Sequence, residues 1–186
     1  MAKPTENRTK ASNVGALERA SSRSWHDWLA LLDAAGAASL SHSDIAKIAR
    51  DAMPSSLKNP EWWAQDAAIA FEQHMGLRVP GQSSAGDFRV SVSRTLGFGR
   101  DDAIERWIAS FAAVTHLGHA LDNARTSRTD KRSFWRASLE GAGKVEVAAL
   151  AKEPVRSLVT VNHTALTSDT DIEPWRAHWK TCLSSL

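Results

Sequence analysis

The spacing of apolar residues changes period once along this chain. Before the change, apolar positions recur every three or four residues, the mark of helices with one buried face. Ser24 opens the first such segment: Trp25, Trp28, Leu29 and Leu32 form a stripe, Asp27 favours the positive end of the helix, and Gly36 supplies a left-handed stop. Ser41 opens the second, with Ile45, Ile48, Ala49, Ala52 and Met53 on its apolar side and Pro54 blocking extension. Asn59-Pro60-Glu61 starts the third, Trp62 to Met75, where Trp63, Ala67, Ala70, Phe71 and His74 share one side while Trp62 and Ile69 lie on another. This helix is apolar over much of its circumference, as a central helix should be. Leu77 to Gly86, punctuated by Pro80, Gly81 and Gly86, has no period and marks a boundary.

Beyond the boundary the period becomes two. Phe88, Val90 and Val92 alternate with Arg89, Ser91 and Ser93 in a half-buried strand. Asp101 is placed as the cap of an amphipathic helix carrying Ile104, Trp107, Ile108 and Phe111. Leu121 to Arg128 is ambiguous, an edge strand being one reading. Arg132 to Leu139, Lys144 to Lys152 and Val155 to Leu166 read as an antiparallel meander, turning at 140–143 and at Glu153-Pro154. Pro174 sits in the first turn of a last helix with Trp175, Trp179, Cys182, Leu183 and Leu186 on one stripe. A sheet of alternating strands buries one face, and the two amphipathic helices are available to cover it. The expected class is therefore α+β: a three-helix segment at 24–80, then an antiparallel sheet with a long C-terminal helix at 86–186. Met1 to Arg23, polar and without an apolar period, reads as a disordered tail.

Composition narrows the picture. The 186 residues are 42% hydrophobic and 24% charged, an ordinary globular balance, and the single cysteine, Cys182, excludes internal disulfides and multi-cysteine metal sites. The formal net charge is +2. Five basic and two acidic residues fall in Met1 to Arg23, which leaves about −1 for the remainder and argues against a nucleic-acid partner. The longest charge-free run, Trp107 to Leu121, is shorter than the roughly 20 apolar residues that span a bilayer, and the polar N-terminus lacks a secretory signal's apolar core. No membrane partner and a cytoplasmic location are expected. Eight tryptophans and no tyrosine are abnormal, and such rings either build a core or line a site.

The order strand, helix, meander, terminal helix resembles the helix-grip architecture of the START-like (SRPBCC) superfamily, in particular its bacterial homologues of the activator of a heat-shock-protein ATPase. Phe88 to Thr95, the helix from Asp101, Ser157 to Leu166 and Trp175-x3-Trp179-x3-Leu183 carry that resemblance. Ser24 to Gly36, His42, Ile45 and Trp62-Trp63-Ala64-Gln65, with Glu72 and Gly76, resemble a small helical domain of unknown function often fused in front of such a domain. Family members usually place further strands and a small helix between the first long helix and the meander. Only Thr115 to Lys131 is available here, which implies a shortened grip with a small or absent cavity. The resemblance implies a curved sheet closing on the terminal helix around an apolar pocket. Trp175 and Trp179 would then line it with Trp135, Val147 and Val161.

Other motifs carry less. Gly97-Phe98-Gly99 follows a strand and opens a helix, but Asp101 and Asp102 put negative charge where a pyrophosphate needs helix amides. His116, His119 and Asp122 have helical ligand spacing, yet the helix is not secured past Leu117, and no metal is assigned. Cys182 lies on an apolar stripe and reads as packing; catalytic use would need His178, one turn back. Ser83 and Ser84 fail the nucleophile-elbow pattern because Ala85 replaces its closing glycine. Arg89, Arg94, Arg125, Arg128, Lys131, Arg132 and Arg136 could form a basic patch on the sheet's outer face or edge, but alternation places Arg89 opposite Arg94, so they cannot all lie on one surface, and they read as solvated strand positions. The leading expectation is a START-like protein binding a small apolar or amphipathic ligand between sheet and terminal helix, without a cofactor. The alternative is a protein-interaction or co-chaperone-like module working through Trp62 or Trp63. No residue pair offers a nucleophile with its base, which weighs against an enzyme.

Overall fold

The computed structural model describes residues Thr9 to Leu186, and the described chain divides into two compact units, Thr9–Ser84 and Ala85–Leu186. The class is α+β, with six α-helices and a five-stranded antiparallel sheet among the described residues.

The helical unit contains α1 (Val14–Ser21), α2 (Trp25–Ala34), α3 (His42–Asp51) and α4 (Pro60–His74). Two starts follow the serine pattern closely: Ser24 Oγ accepts from the Asp27 amide at 3.1 Å and Ser41 Oγ from the Asp44 amide at 3.2 Å, each hydroxyl donating in turn to the aspartate. The third start works differently. Asn59 adopts a left-handed backbone, φ 53°, and its side chain caps nothing; Pro60 presets the first turn. Leu17, Trp28, Leu32, Ala49, Ala67, Ala68 and Phe71 are fully buried, the alanines letting α4 approach its neighbours closely.

Helix α1 corrects the expectation of a tail without fold over 1–23; its segment Met1–Arg8 lies outside the described residues. One buried leucine, Leu17, anchors α1, and Ser21 Oγ accepts from Trp28 Nε1 at 3.0 Å while donating to the Leu17 carbonyl. The Glu18 carboxylate also accepts from the Trp25 amide at 2.7 Å. Two turns with one large apolar residue leave no periodic signal, so the helix is held by tertiary contacts rather than by its own propensity. A polar staple lies deeper in the same unit. The Glu72 carboxylate accepts from the Arg78 guanidinium at 2.8 Å and faces His42 Nδ1 at 3.0 Å, while His42 Nε2 meets Gln65 Oε1 at 2.8 Å.

The second unit runs β1 (Phe88–Leu96), α5 (Arg100–Phe111), β2 (Leu121–Arg128), β3 (Arg132–Leu139), β4 (Gly143–Glu153), β5 (Arg156–Leu166) and α6 (Ile172–Ser184), with strand order β1-β5-β4-β3-β2. Helix α5 is capped by Gly99 rather than Asp101; the Asp101 carboxylate instead accepts from Ser133 Oγ on β3 and pairs with Arg128 at 3.3 Å. The ambiguous segment is strand β2, exposed along nearly all its length as an edge strand can be. Helices α5 and α6 cover one face. Against them, Trp135, Val147, Val161 and Val92 form a single row in register across β3, β4, β5 and β1. No helix among the described residues is long and apolar enough to cross a membrane.

Candidate functional site

Helix α6 carries Pro174 in its first turn, and Trp175, Trp179, Cys182 and Leu183 then fall on one buried stripe. Trp175 and Trp179 stack with centroids 5.3 Å apart, Trp179 meets Trp107 of α5 at 6.1 Å, and Trp107 meets Trp135 at 6.2 Å. The five residues expected to line a pocket, Trp135, Val147, Val161, Trp175 and Trp179, thus do come together. Trp135 is 1% exposed, Val147, Val161 and Trp179 are 0% and Trp175 is 4%, so all five are buried members of one apolar cluster between the helices and the sheet.

Imidazoles enter this aromatic layer from three places. His163 of β5 is fully buried; its Nδ1 accepts from Trp179 Nε1 at 3.1 Å and its Nε2 donates to the Ala142 carbonyl at 2.5 Å. Burial lowers its pKa to about 4, so the ring is neutral. His116 is held by a tight turn in which its amide and that of His119 exchange hydrogen bonds, with Leu117 and Gly118 both at positive φ. Its Nε2 donates to the Phe111 carbonyl at 3.1 Å, which leaves Nδ1 as a lone pair facing His178 Nε2 at 2.8 Å. Cys182 Sγ lies 3.6 Å from the same His178 nitrogen. The ligand atoms of His116, His178 and Cys182 fall within 4.8 Å of one another, the one such group found among the described residues. Burial lowers the pKa of both histidines and raises that of the Cys182 thiol to about 11.

This trio differs from the set that spacing suggested. His119 Nδ1 bonds the Glu140 carbonyl at 2.7 Å and Asp122 Oδ1 accepts from the Asn123 amide, so neither joins His116. The pairing of His178 with Cys182 was legible as an i, i+4 relation on α6. His116 was not: only the packing of the α5–β2 turn against α6 brings it there.

On the opposite face of the sheet lies a groove of about 730 Å³ that spans all five strands. Arg89 of β1, Arg125 of β2, Arg136 of β3 and Lys144 of β4 line it, with Ser91, Asn123 and Asn162. Arg136 pairs with Glu146 at 2.6 Å, and Ser91 Oγ donates to Asn162 Oδ1 at 2.8 Å, which leaves the Asn162 amide group to donate. Arg89, Arg125 and Lys144 make no ion pair among the described residues. Three members of the basic set considered from the sequence therefore share one surface, joined by Lys144, which that reading passed over. Alternation does separate Arg94, whose guanidinium donates to the Leu183 carbonyl at 3.0 Å near the end of α6.

In the helical unit Trp62 is 60% exposed and Trp63 partly buried, their rings edge to face at 4.7 Å. No family model, curated protein or solved structure matches the chain.

Proposed function

We propose that this protein binds a small anionic molecule, an organic phosphate or polycarboxylate, in the groove on the open face of its sheet. The observation that carries this reading is the convergence of Arg89, Arg125 and Lys144, unneutralised among the described residues, from three separate strands. Cations held near one another repel, at a cost an anion relieves, and an arginine fork matches phosphate or carboxylate in two parallel hydrogen bonds. The groove volume falls in the range of small-molecule sites, about 300–1,000 Å³, and Ser91, Asn123 and Asn162 add neutral groups for orientation. The reading keeps the binding role that a START-like resemblance implies and moves the ligand from the buried sheet–helix layer to the other face of the sheet.

Thermal-shift and calorimetric titration with phosphate, pyrophosphate, citrate and adenosine nucleotides test it. A saturable, salt-sensitive response to one of them, lost when Arg89 and Arg125 are both changed to Ala, is expected. A flat response to all of them, or one that the double variant retains, rejects it.

A second reading rests on the exposed Trp62 ring, whose large apolar area in water suits a protein-interaction surface. It requires a specific partner that binds the wild type and is lost on Trp62→Ala; equal binding by both proteins removes it.

A further inference from the structure

We propose that His116, His178 and Cys182 form a binding site for a late first-row transition ion of the zinc type, at the rim of the aromatic layer. The inference is independent of the groove, which lies on the other face of the sheet.

The donor set is two imidazoles and a thiol, the borderline-soft combination that favours zinc or copper over magnesium or calcium. One separation matches a shared ion, a second needs a small shift, and the third, His116 Nδ1 to Cys182 Sγ, lies within 4.8 Å. With Zn–N at about 2.0–2.1 Å and Zn–S at about 2.3 Å, tetrahedral geometry separates N from S by about 3.6 Å and N from N by about 3.3 Å. His178 Nε2 and Cys182 Sγ stand 3.6 Å apart, while His116 Nδ1 and His178 Nε2, at 2.8 Å, need to open by about half an ångström. His178 is only half-buried, so its ring can shift by that amount.

Outer-shell chemistry points the same way. A metal-bound imidazole ordinarily donates its other N–H to a carbonyl or carboxylate, which fixes the tautomer. His116 does this already: its Nε2 donates to the Phe111 carbonyl, at the end of α5, and directs the Nδ1 lone pair inward. Both ligands on α6 are one turn apart on a rigid helix, and the third comes from a tight turn, so the site is organised by elements that exist without the ion. His116 is 1% and Cys182 5% exposed, whereas His178 is half-buried, so solvent and a fourth, exogenous ligand reach the site past His178. Without the ion, one proton bridges His116 Nδ1 and His178 Nε2. On binding, that proton moves to His178 Nδ1 and the Cys182 thiol proton leaves to solvent, so the neutral trio takes up a dication with release of one proton.

The test uses the full chain, stripped with a chelator and reloaded with Zn2+, then desalted and assayed for bound metal. About one zinc per chain is expected, falling to background in His178→Gln and Cys182→Ser, with His119→Ala retaining it. Reloading with Co2+ gives a readout that needs no variant: a thiolate-to-cobalt charge-transfer band in the near ultraviolet. A wild type that retains no zinc, a cobalt form without that band, or a His178→Gln protein that folds and still holds the ion each overturns the assignment.

Discussion

Acid should unfold the sheet unit through one buried imidazole. His163 has a pKa of about 4 in the fold against 6.5 for the free side chain, because the ring is desolvated between β5 and α6. Between those values the unfolded chain carries a proton that the folded chain refuses, so stability falls as pH falls. Above about pH 7 the effect is absent. By about pH 5 it amounts to roughly 2 kcal/mol, and it levels at about 3 kcal/mol below pH 4. The local reason is that Nδ1 accepts the Trp179 Nε1–H; a proton there sets two donors against each other at 3.1 Å. Urea unfolding at about pH 7.5, 6 and 5 measures this in metal-free buffer, with His163→Gln as the comparison. Glutamine can accept from Trp179 and donate to the Ala142 carbonyl but does not titrate. His116 and His178, also lowered by burial, act in the same direction in both proteins and cancel in the difference. The wild type should lose roughly 2 kcal/mol more than the variant between about pH 7.5 and 5. Equal losses would refute the assignment to His163.

Two further pairs of substitutions test the packing. Gly143, at φ +87°, would bring an added Cβ against the Thr164 carbonyl oxygen and within 2.9 Å of the Ala165 carbonyl oxygen, so Gly143→Ala should cost at least about 2 kcal/mol. Gly36→Ala, at φ +66° with nothing within 4 Å, should cost only about 1 kcal/mol for the left-handed backbone; similar losses in denaturant unfolding would contradict the close approach of Gly143, at the start of β4, to the end of β5. Trp28→Ala should cost about 3–5 kcal/mol, the ring being fully buried and its indole N–H bonded to Ser21, whereas Trp62→Ala should stay within about 0.5 kcal/mol. A large loss at Trp62 would mean that its ring is part of the fold.

Local and periodic features were legible without coordinates. The serine starts at Ser24 and Ser41, the change of period at Phe88, the meander and the apolar stripe of α6 each depend on residues a few positions apart, and those relations survive in one dimension. Even the convergence of Trp135, Val147 and Val161 followed from alternation once the strands were paired. What depended on distance in space was lost. Helix α1 has one deeply buried apolar side chain, so its stability comes from a serine, a glutamate and the Trp25–Trp28 region it packs on. Whether the tryptophans line a cavity or fill it turns on how far α6 stands from the sheet, a spacing of a few ångströms that no pattern of residue types encodes. The cationic groove and the meeting of His116 with His178 and Cys182 likewise bring together separate elements of the chain. Apolar burial decides which elements form because it repeats along the chain; chemistry arises where side chains from different elements meet, and only the packed chain sets those meetings.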